Sequence, residues 1–303
     1  SLKQMVHICI VLTFALCLGG QVSPARALEP TTIVVNSTGD EPDFANNSVC
    51  ETAAGNGVCT LRAAIQHANY LQSINGTLIT FDIDHSPSYA PTIIDVGSAL
   101  PGLMIDGTTI QGPNLHDNSV LVLDGMGGSY PGLEVRANNC AIKKLTIANF
   151  ADSGISVGLA TGDPVSGLLI TGNKIGNMIP LGIIDKPNGV GIKLRNTASS
   201  VIGGDTSAER NVIAGNTSYG IYILDSATNV VKGNYIGIKD DGITALPNST
   251  GVYVSNSTGN TIGGTTAGRR NVISGNTSNG VYVVGNENVV MGNYIGTDIS
   301  GTV

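Results

Sequence analysis

The sequence contains no tryptophan, and aromatic residues make up only 4% of its 303 residues. Charged residues make up 12%, about half of the usual share. Long apolar patterns with a helical period are nearly absent, which argues against a helix bundle or a fold of alternating strands and helices. Glycine, by contrast, occurs 41 times, accompanied by many Asn, Val and Ile residues. This composition predicts an all-β protein of many short strands joined by tight turns.

Basic residues are also scarce. The chain has 15 Lys and Arg residues against 22 Asp and Glu residues, a formal net charge of −7. Without residues 1–27, which contain Lys3 and Arg26, the balance is 13 − 22 = −9. A surface of this sign repels phosphate groups, so we expect neither nucleic acid nor anionic lipid as a partner.

Residues 1–27 have the composition of a secretory signal peptide. Lys3 precedes an apolar run from Val6 to Leu18, and Ala25-Arg26-Ala27 offers an A-x-A cleavage site. The run is about 13 residues long, whereas a membrane-spanning helix needs roughly 20, so a retained anchor is the weaker alternative. We therefore predict a secreted or cell-surface protein with no membrane span after cleavage.

Three cysteines lie beyond residue 27. Cys50 and Cys59 flank a stretch rich in Gly and Asn, and in an exported chain this pair predicts a local disulfide. Zinc is not expected, because two sulfurs without a second pair leave the coordination shell half empty. Cys140 lies among strand-forming residues and is predicted to be a buried apolar side chain.

The sequence repeats with a period of about 60 residues. NVIAGNTSYGIYI at 211–223 recurs as NVISGNTSNGVYV at 271–283, and GNYIG at 233–237 recurs at 292–296. Each period divides into two units of about 30 residues with three short strand-like segments each. One unit consists of NTIGG at 260–264, NVISGN at 271–276 and GVYVV at 280–284. Three strands per unit indicate one turn of a three-faced coil.

Apolar residues alternate with variable ones in the third segment of each unit. Val252 and Val254 flank Tyr253, and the same pattern recurs around Tyr222 and Tyr282. Period-two alternation places the aliphatic side chains inside the coil and the tyrosines outside. Because one coil cannot bury its inner face alone, successive coils must stack at about 4.8 Å. The repeat therefore predicts a right-handed parallel β-helix.

These motifs resemble those of a known group of proteins. The repeat is similar to that of bacterial secreted proteins with right-handed β-helix repeats, within the pectin-lyase-like superfamily. Residues 34–69 resemble the CSLREA-type domain that often precedes such helices, with Cys59-Thr60-Leu61-Arg62-Ala63-Ala64-Ile65 as the core motif and Ala63 where the family name has Glu. The resemblance implies a cap over 28–77 and a β-helix over 78–303. Since no cap follows the last coil, we expect truncation at the C-terminus.

The cap region contains an amphipathic helical pattern that begins after Thr60, the expected N-cap. A helix laid across the open first edge of a strand stack would protect that edge from other chains. Arg62 is expected to tie the helix to the cap loop through backbone carbonyls or a carboxylate, and an anion site is the alternative. The apolar face of the helix comprises Leu61, Ala64, Ile65, Ala68 and Leu71.

Proteins that the chain resembles include polysaccharide lyases, hydrolases and epimerases, so an enzymatic hypothesis stays open. The Gly-His-Gly and Asp-Pro-His motifs of two such enzyme groups are absent. The adjacent pair Asp240 and Asp241 is one catalytic candidate. Its repeat counterpart carries Asp298 in the equivalent loop, which indicates a turn motif instead. The other candidate is an acidic group for Ca²⁺ beside a basic residue, and Asp-Gly turns are its alternative. It comprises Asp95, Asp106 and Asp124, followed by Arg136, Lys143 and Lys144.

Calcium is the one cofactor for which the sequence offers candidate ligands; otherwise we expect none. In the cap, Asp40, Glu41 and Asp43 could hold one Ca²⁺, because carboxylate oxygens are its preferred ligands. The alternative is a solvated acidic loop.

The outward residues of the third segments should form a column along the axis of the β-helix. Three tyrosines in this column would offer apolar rings and hydroxyl edges to a linear glycan. Stacking that only stabilises the sheet is the alternative. Tyr235 and Tyr294 are expected to point outward from a neighbouring strand. The column comprises Ser156, Lys193, Tyr222, Tyr253 and Tyr282.

Asparagines that open strands are expected to form hydrogen-bonded ladders from coil to coil. They are Asn211, Asn229, Asn260, Asn271 and Asn288.

Two hypotheses for function follow from the sequence. The first is a non-catalytic secreted or cell-surface scaffold, adhesin-like, that binds extracellular polysaccharide or a cell-surface glycan along the tyrosine column. The second is a polysaccharide lyase, glycoside hydrolase or epimerase.

Overall fold

The structure is a computed structural model that describes residues 29–45, 47–83, 91–113, 120–177 and 186–302. The predicted signal peptide, residues 1–27, lies outside these ranges. Over the described residues the chain forms 25 strands and one α-helix. Three parallel sheets, A, B and C, contain nine, eight and six of these strands, and two more form a short separate pair.

Sheet A runs the length of the described chain, in the order β1 (Thr31–Val35), β2 (Thr77–Phe81), β4 (Thr109–Gln111), β7 (Ala141–Lys143), β11 (Leu169–Thr171), β15 (Val201–Gly203), β18 (Val230–Lys232), β21 (Thr261–Gly263) and β24 (Val289–Met291). Sheet B contains β3 (Thr92–Asp95), β5 (Leu121–Gly128), β8 (Thr146–Phe150), β12 (Lys174–Gly176), β16 (Val212–Ala214), β19 (Tyr235–Ile236), β22 (Val272–Ile273) and β25 (Tyr294–Ile295). Sheet C contains β6 (Leu133–Val135), β9 (Ser153–Val157), β13 (Val190–Arg195), β17 (Tyr219–Leu224), β20 (Thr250–Ser255) and β23 (Val281–Val284). The separate pair is β10 (Val165–Ser166) and β14 (Thr197–Ala198).

From β4 to β23, each coil contributes one strand to each of the three sheets, and each strand pairs with its equivalent in the next coil. The predicted unit appears as β21, β22 and β23, and these pair in parallel with β18, β19 and β20 of the preceding coil. The structure therefore confirms the predicted right-handed parallel β-helix with three strands per coil.

The interior of the helix consists of aliphatic columns. In sheet A the inward position is isoleucine in most coils, and in register it reads Ile33, Ile79, Ile110, Ile142, Ile170, Ile202, Val231 and Ile262. All eight side chains are buried. Because β-branched side chains fit the pleated surface of a strand, the same residue serves in one coil after another.

Asparagines, most of them buried, line three corners of the coil, as predicted for the strand-opening positions. Asn211 donates through its side-chain amide to Asn234 Oδ1 at 2.9 Å, and Asn234 donates to Asn271 Oδ1 at 3.0 Å. The backbone N–H of Asn211 and that of Asn234 donate to the same Oδ1 atom as the corresponding side-chain amide. The two side chains also donate to the backbone carbonyls of Ile170 and Ile202. The three ladders are Asn173–Asn211–Asn234–Asn271–Asn293, Asn188–Asn216–Asn248–Asn276 and Asn229–Asn260–Asn288.

From β11 onward, the connections between sheets A and B alternate in length, which explains a repeat of two coils. The long connections, 204–211 and 264–271, each contain a 3-10 turn, at Ser207–Glu209 and Ala267–Arg269. The connections at 172–173 and 233–234 are short. Gly172 and Gly233 adopt φ values of 70° in these short turns, a conformation that glycine reaches without strain.

Helix α1 (Leu61–Leu71) packs against β1 and β2 at the first edge of sheet A. As predicted, the Thr60 hydroxyl accepts a hydrogen bond from the Ala63 N–H at 3.0 Å and caps the helix. Leu61, Ala64, Ile65 and Ala68 are buried in the same cluster as the coil interior, and Leu71 packs against it.

Arg62 ties this helix to two loops. Its guanidinium pairs with the Asp40 carboxylate at 2.9 Å and donates to the carbonyls of Ser98 and Ala99 at 2.8 and 2.7 Å. These contacts match the tethering role predicted for Arg62 rather than an anion site.

The cysteines behave as the sequence predicts. Cys50 and Cys59 form a disulfide that closes the loop before α1. Cys140 is a free thiol with no exposed surface, and burial raises its pKa to about 11.

Candidate functional site

The predicted outward column lies along sheet C in continuous register. Ser156, Lys193, Tyr222, Tyr253 and Tyr282 are direct partners on β9, β13, β17, β20 and β23. The residues that flank each tyrosine point inward; Ile221, Ile223, Val252 and Val254 are fully buried. Hence β-strand alternation alone orients the three tyrosines on one face.

The tyrosine rings are in mutual contact. The centroids of Tyr222 and Tyr253 lie 5.4 Å apart with planes at 71°, an edge-to-face arrangement. Tyr253 and Tyr282 stack face to face at 5.1 Å with planes at 5°. Tyr219 completes the group, with its centroid 4.8 Å from that of Tyr253 and 5.1 Å from that of Tyr222.

Tyr219 was missed by sequence reasoning for a physical reason. Period-two alternation assigns it to the same face as Ile221, which points into the coil. It lies, however, at the first position of β17, where the chain turns a corner, and its ring packs outside. Asn279 occupies the equivalent place in the next repeat, so the repeat carries no signal for it.

The stacking determines which parts of the rings a ligand could reach. Tyr253 stacks on the Tyr282 ring and also packs against the Tyr219 ring at a tilt of 30°, so its edge and hydroxyl are the parts of the ring that a ligand could contact most easily. Tyr282 lies on the last strand of sheet C, and its side chain is 44% exposed. Burial, together with the nearby Tyr219 and Tyr253 hydroxyls, raises the pKa of Tyr222, so its hydroxyl is neutral and able to donate at physiological pH.

Paired charges border the column. Lys193 lies in the column itself, 3.6 Å from the Asp152 carboxylate, and Arg195 lies 3.9 Å from Asp225. Asp225 also accepts a hydrogen bond from the Asn256 side chain at 2.6 Å. Both basic residues beside the column, Lys193 and Arg195, therefore have a carboxylate within 4 Å.

Of Tyr235 and Tyr294, which were both predicted to point outward, Tyr235 differs from the prediction. Both lie on the outer face of sheet B, but Tyr235 is only 3% exposed and packs with Val212, Ile238 and Val272. The connection that follows β19 covers it, and any side chain at Gly242 would lie 3.2 Å from its hydroxyl. Expecting Tyr235 as an open ligand surface was therefore wrong.

Arginines occupy the remaining ring faces of this second tyrosine pair. The Arg210 guanidinium lies 4.1 Å from the centroid of Tyr235, and Arg270 lies 4.1 Å from that of Tyr294. Both arginines end a long connection between sheets A and B. These cation–π contacts join each long connection to the sheet B strand of the next coil and stabilise the packing between coils.

The first group of acidic candidates is only partly brought together. Asp95 and Asp124 are direct partners on β3 and β5, whereas Asp106 lies in the turn before β4 and accepts from the Asn138 N–H at 2.8 Å. Arg136 pairs with Glu134 at 2.8 Å, and Lys143 lies in sheet A. The predicted cluster of three acids with an adjacent basic residue is therefore not assembled.

Asp124 is a buried carboxylate with three hydrogen-bonding partners. It is 2% exposed, pairs with Lys186, and accepts from the Asn149 side chain at 2.6 Å and the Met126 N–H at 2.9 Å. Burial alone would raise its pKa, but the hydrogen bond from Lys186 and those from Met126 and Asn149 outweigh burial and lower it. Sequence reasoning did not find Lys186, which follows a stretch without repeats.

The second acidic candidate behaves as a turn motif. Asp240 pairs with Lys174 at 2.7 Å on the exposed surface. Asp241 accepts from the N–H groups of Ile243 and Thr244, both at 2.8 Å, and so closes its own turn. The Thr244 hydroxyl and these two N–H groups lower the pKa of Asp241, which keeps it ionised rather than poised as a general acid.

A family model described as "Right handed beta helix region" matches residues 93–301. The chain belongs to this right-handed β-helix family. Two solved structures, both of pectate lyase variants from Xanthomonas campestris, align with it at 14% identity and a TM-score of 0.28. One alignment covers 88% of this chain and 79% of the other, and the second covers 89% and 80%. No curated protein sequence matches the chain.

In this β-helix protein the calcium candidates of the cap do not converge. Asp40 is bound to Arg62, Glu41 is exposed, and Asp43 accepts from the Glu51 N–H at 3.2 Å. No group of three or more His, Cys, Asp or Glu side chains arranged for a metal ion occurs among the described residues. The described part of the chain also contains no helix that could cross a membrane.

Proposed function

We propose that this protein is a secreted or cell-surface β-helix that acts as a rigid scaffold and binds an extracellular polysaccharide along its outer tyrosines. The observation that carries the proposal is the tyrosine column, which we define as Tyr219, Tyr222, Tyr253 and Tyr282. Four neighbouring rings concentrate apolar edges and hydroxyl groups on one face of the helix.

Rigidity supports the scaffold part of the proposal. Each rung of an asparagine ladder satisfies a buried backbone N–H and a side-chain amide together, for example at Asn234. Such fully satisfied polar networks hold neighbouring coils in one register. A ligand-binding face on this framework keeps its geometry without rearrangement, which reduces the entropic cost of binding.

The surroundings of the column favour a neutral polymer as ligand. The border charges Lys193 and Arg195 are matched by Asp152 and Asp225, so the site has no excess charge to attract an acidic chain. Because the four rings pack against one another, the ligand would contact ring edges and tyrosine hydroxyls.

The proposal is tested by binding to an array of neutral and acidic polysaccharides, followed by titration of any polymer retained. Tyr282→Ala should weaken binding at least tenfold, since it removes the most exposed ring of the column. Tyr70→Ala is the matched control, because Tyr70 is 49% exposed on helix α1 and lies outside the column. Absence of binding to every polymer, or equal losses in both variants, would reject the polysaccharide site while leaving the scaffold role.

The alternative is a polysaccharide-active enzyme, and the pairing of Asp95 with Asp124 on adjacent strands favours it. Two neighbouring carboxylates are the minimum for acid-base or calcium-assisted cleavage of a glycan. Incubation with pectin, alginate and neutral glucans, followed by detection of unsaturated or reducing-end products, tests this alternative. Turnover that is lost in Asp95→Asn but not in Asp241→Asn would support it over the scaffold role.

A further inference from the structure

Strand β1 ends sheet A with an unpaired edge. It pairs with β2 only, from Thr31 opposite Thr77 to Val35 opposite Phe81. The Val35 carbonyl accepts from the Asp82 N–H on the β2 side, and the Asn36 N–H donates to the Cys59 carbonyl on the opposite side. Because backbone groups point alternately to the two sides of a strand, the N–H and C=O groups of Thr32 and Val34 face away from β2. No backbone partner for these four groups is recorded among the described residues.

A groove runs along this free edge. One wall is the disulfide loop, with Val49 and Cys50, and the other is helix α1, with His67 and Leu71. The groove closes at Asn36, whose side chain holds the loop through the Gly57 carbonyl and the Cys59 N–H at 2.9 and 2.8 Å. Helix α1 thus covers the open end of the coil but leaves the strand edge accessible.

The walls of the groove are apolar where an added strand would place side chains. Val34 and Val49 are 43% and 49% exposed, although both are strand-forming aliphatic residues. Exposed apolar side chains beside unpaired backbone groups form the type of surface to which extended peptides add as an extra strand.

Acidic residues adjoin the groove, and no Lys or Arg residue lines it among the described residues. Glu29 is exposed and lies two positions before the start of β1, and Glu51 directly follows Cys50 in the loop wall. Asp43 lies 3.6 Å from His67 in the helix wall. This field attracts cationic segments and repels acidic ones.

We propose that the free edge of β1 binds an extended, cationic segment of another polypeptide by strand addition. The backbone of that segment pairs with the N–H and C=O groups of Thr32 and Val34. Its apolar side chains enter the groove beside Val34 and Val49, and its Lys or Arg side chains face the acidic surface. This site is separate from the tyrosine column, so either proposal can fail without the other.

The probe is a fluorescent octapeptide of alternating lysine and valine, titrated with the full chain and followed by anisotropy. A matched peptide of alternating glutamate and valine should bind at least tenfold more weakly. Methylation of the backbone nitrogens on one edge of the lysine peptide should also weaken binding at least tenfold, since only strand addition needs those N–H groups. Equal affinity of the methylated peptide, or no binding of the lysine peptide, would overturn the proposal.

The protein side of the test uses Val34→Pro and Val34→Ala. Proline removes the N–H that faces the groove but none that bonds to β2, so the sheet should remain intact. We expect at least a tenfold loss of affinity for Val34→Pro and less than a threefold loss for Val34→Ala. Circular dichroism checks that both variants fold. If the proline variant does not fold, the methylated peptide still tests strand addition on the unaltered protein.

Two other occupants give different results. If a second copy fills the groove, the chain dimerises in sedimentation experiments, Val34→Pro abolishes the dimer, and the lysine peptide does not bind. If the chain's own first residues fill it, the peptide binds only after residues 1–27 have been removed. Either result would overturn the proposal.

Discussion

The ring of Tyr282 lies parallel to that of Tyr253, with their planes at 5° and their centroids 5.1 Å apart. The two residues are 29 positions apart in the sequence and direct partners on β20 and β23. The same contact therefore stabilises the sheet and forms part of the candidate ligand surface. Variants of Tyr253 can distinguish the stabilising role from the binding role.

Tyr253→Ala should lower the free energy of unfolding by about 2 kcal/mol, because it removes three ring contacts of roughly 0.5 to 1.5 kcal/mol each and the rings partly readjust. Tyr253→Phe keeps these contacts and should change stability by less than about 0.5 kcal/mol. Urea unfolding measures both. If Tyr253→Phe nevertheless weakens polysaccharide binding, the hydroxyl contacts the ligand; equal destabilisation by both variants would contradict the packing role.

Asn234→Ala should destabilise the protein by about 3 kcal/mol or more. It removes the acceptor of the Asn211 amide and leaves several buried polar groups without partners, at roughly 1 to 3 kcal/mol each. Asn293→Ala, in the last rung of the same ladder, should cost less than half as much, since Asn293 is only partly buried and water can replace its contacts. Similar losses for the two variants, measured by chemical denaturation, would show that the ladder is not the source of the stability.

Asp124 should make stability depend on pH. Its pKa is lower in the folded protein than in the unfolded chain, so folding favours the ionised form. The contribution is complete above the unfolded pKa of about 3.9 and is lost as the pH falls through the lower folded pKa.

Asp124→Asn should therefore cost about 2 to 4 kcal/mol at pH 7, because Lys186 loses its charged partner, and the cost should shrink as the pH falls below about 4. Thermal unfolding between pH 2 and 7 measures the effect. Asp163→Asn is a suitable control because Asp163 is an exposed carboxylate. A pH profile of Asp124→Asn parallel to that of the unaltered protein would contradict the assignment.

Cys140 should be inert in the folded protein. In a chain without residues 1–27 it is the single free thiol, since Cys50 and Cys59 are bonded to each other. Burial and a pKa of about 11 keep it protonated and inaccessible at pH 8. A thiol reagent should detect no reactive thiol in the native protein and one thiol per chain in 6 M guanidinium. Rapid reaction of the native protein would instead show that the coil opens locally.

The sequence predicts the repetitive part of this fold well, because one physical rule recurs in every coil. Inward Ile and Val, outward Tyr and buried Asn follow from period-two alternation and from the turns that the coil requires. The disulfide and the Thr60 cap depend on residues close together in the sequence, so they too could be predicted from it. Strand β1 was missed, since it lies in the cap region before the repeat begins and has no second copy for comparison.

The errors at the candidate sites arise where irregular segments cover or contact a regular strand. Alternation correctly directs Tyr235 away from the coil, but it cannot show that residues after β19 fold over the ring. The same limit applies to Lys186, which reaches Asp124 from a position 62 residues away. The Lys186 contact has no counterpart in another coil, so it leaves no pattern in the sequence. The segment over Tyr235 does recur, with Gly301 against Tyr294, but its turn residues do not show that it folds over the ring.

The alternation of long and short connections makes a pair of coils, rather than one, the module of this architecture. Two strand spacings advance the axis by about 10 Å, after which Arg210 over Tyr235 is reproduced as Arg270 over Tyr294. Insertion or deletion of a whole module would preserve the asparagine ladders, the inward aliphatic columns and the arginine–tyrosine contacts between coils. Length could therefore vary in steps of about 10 Å without any new packing problem.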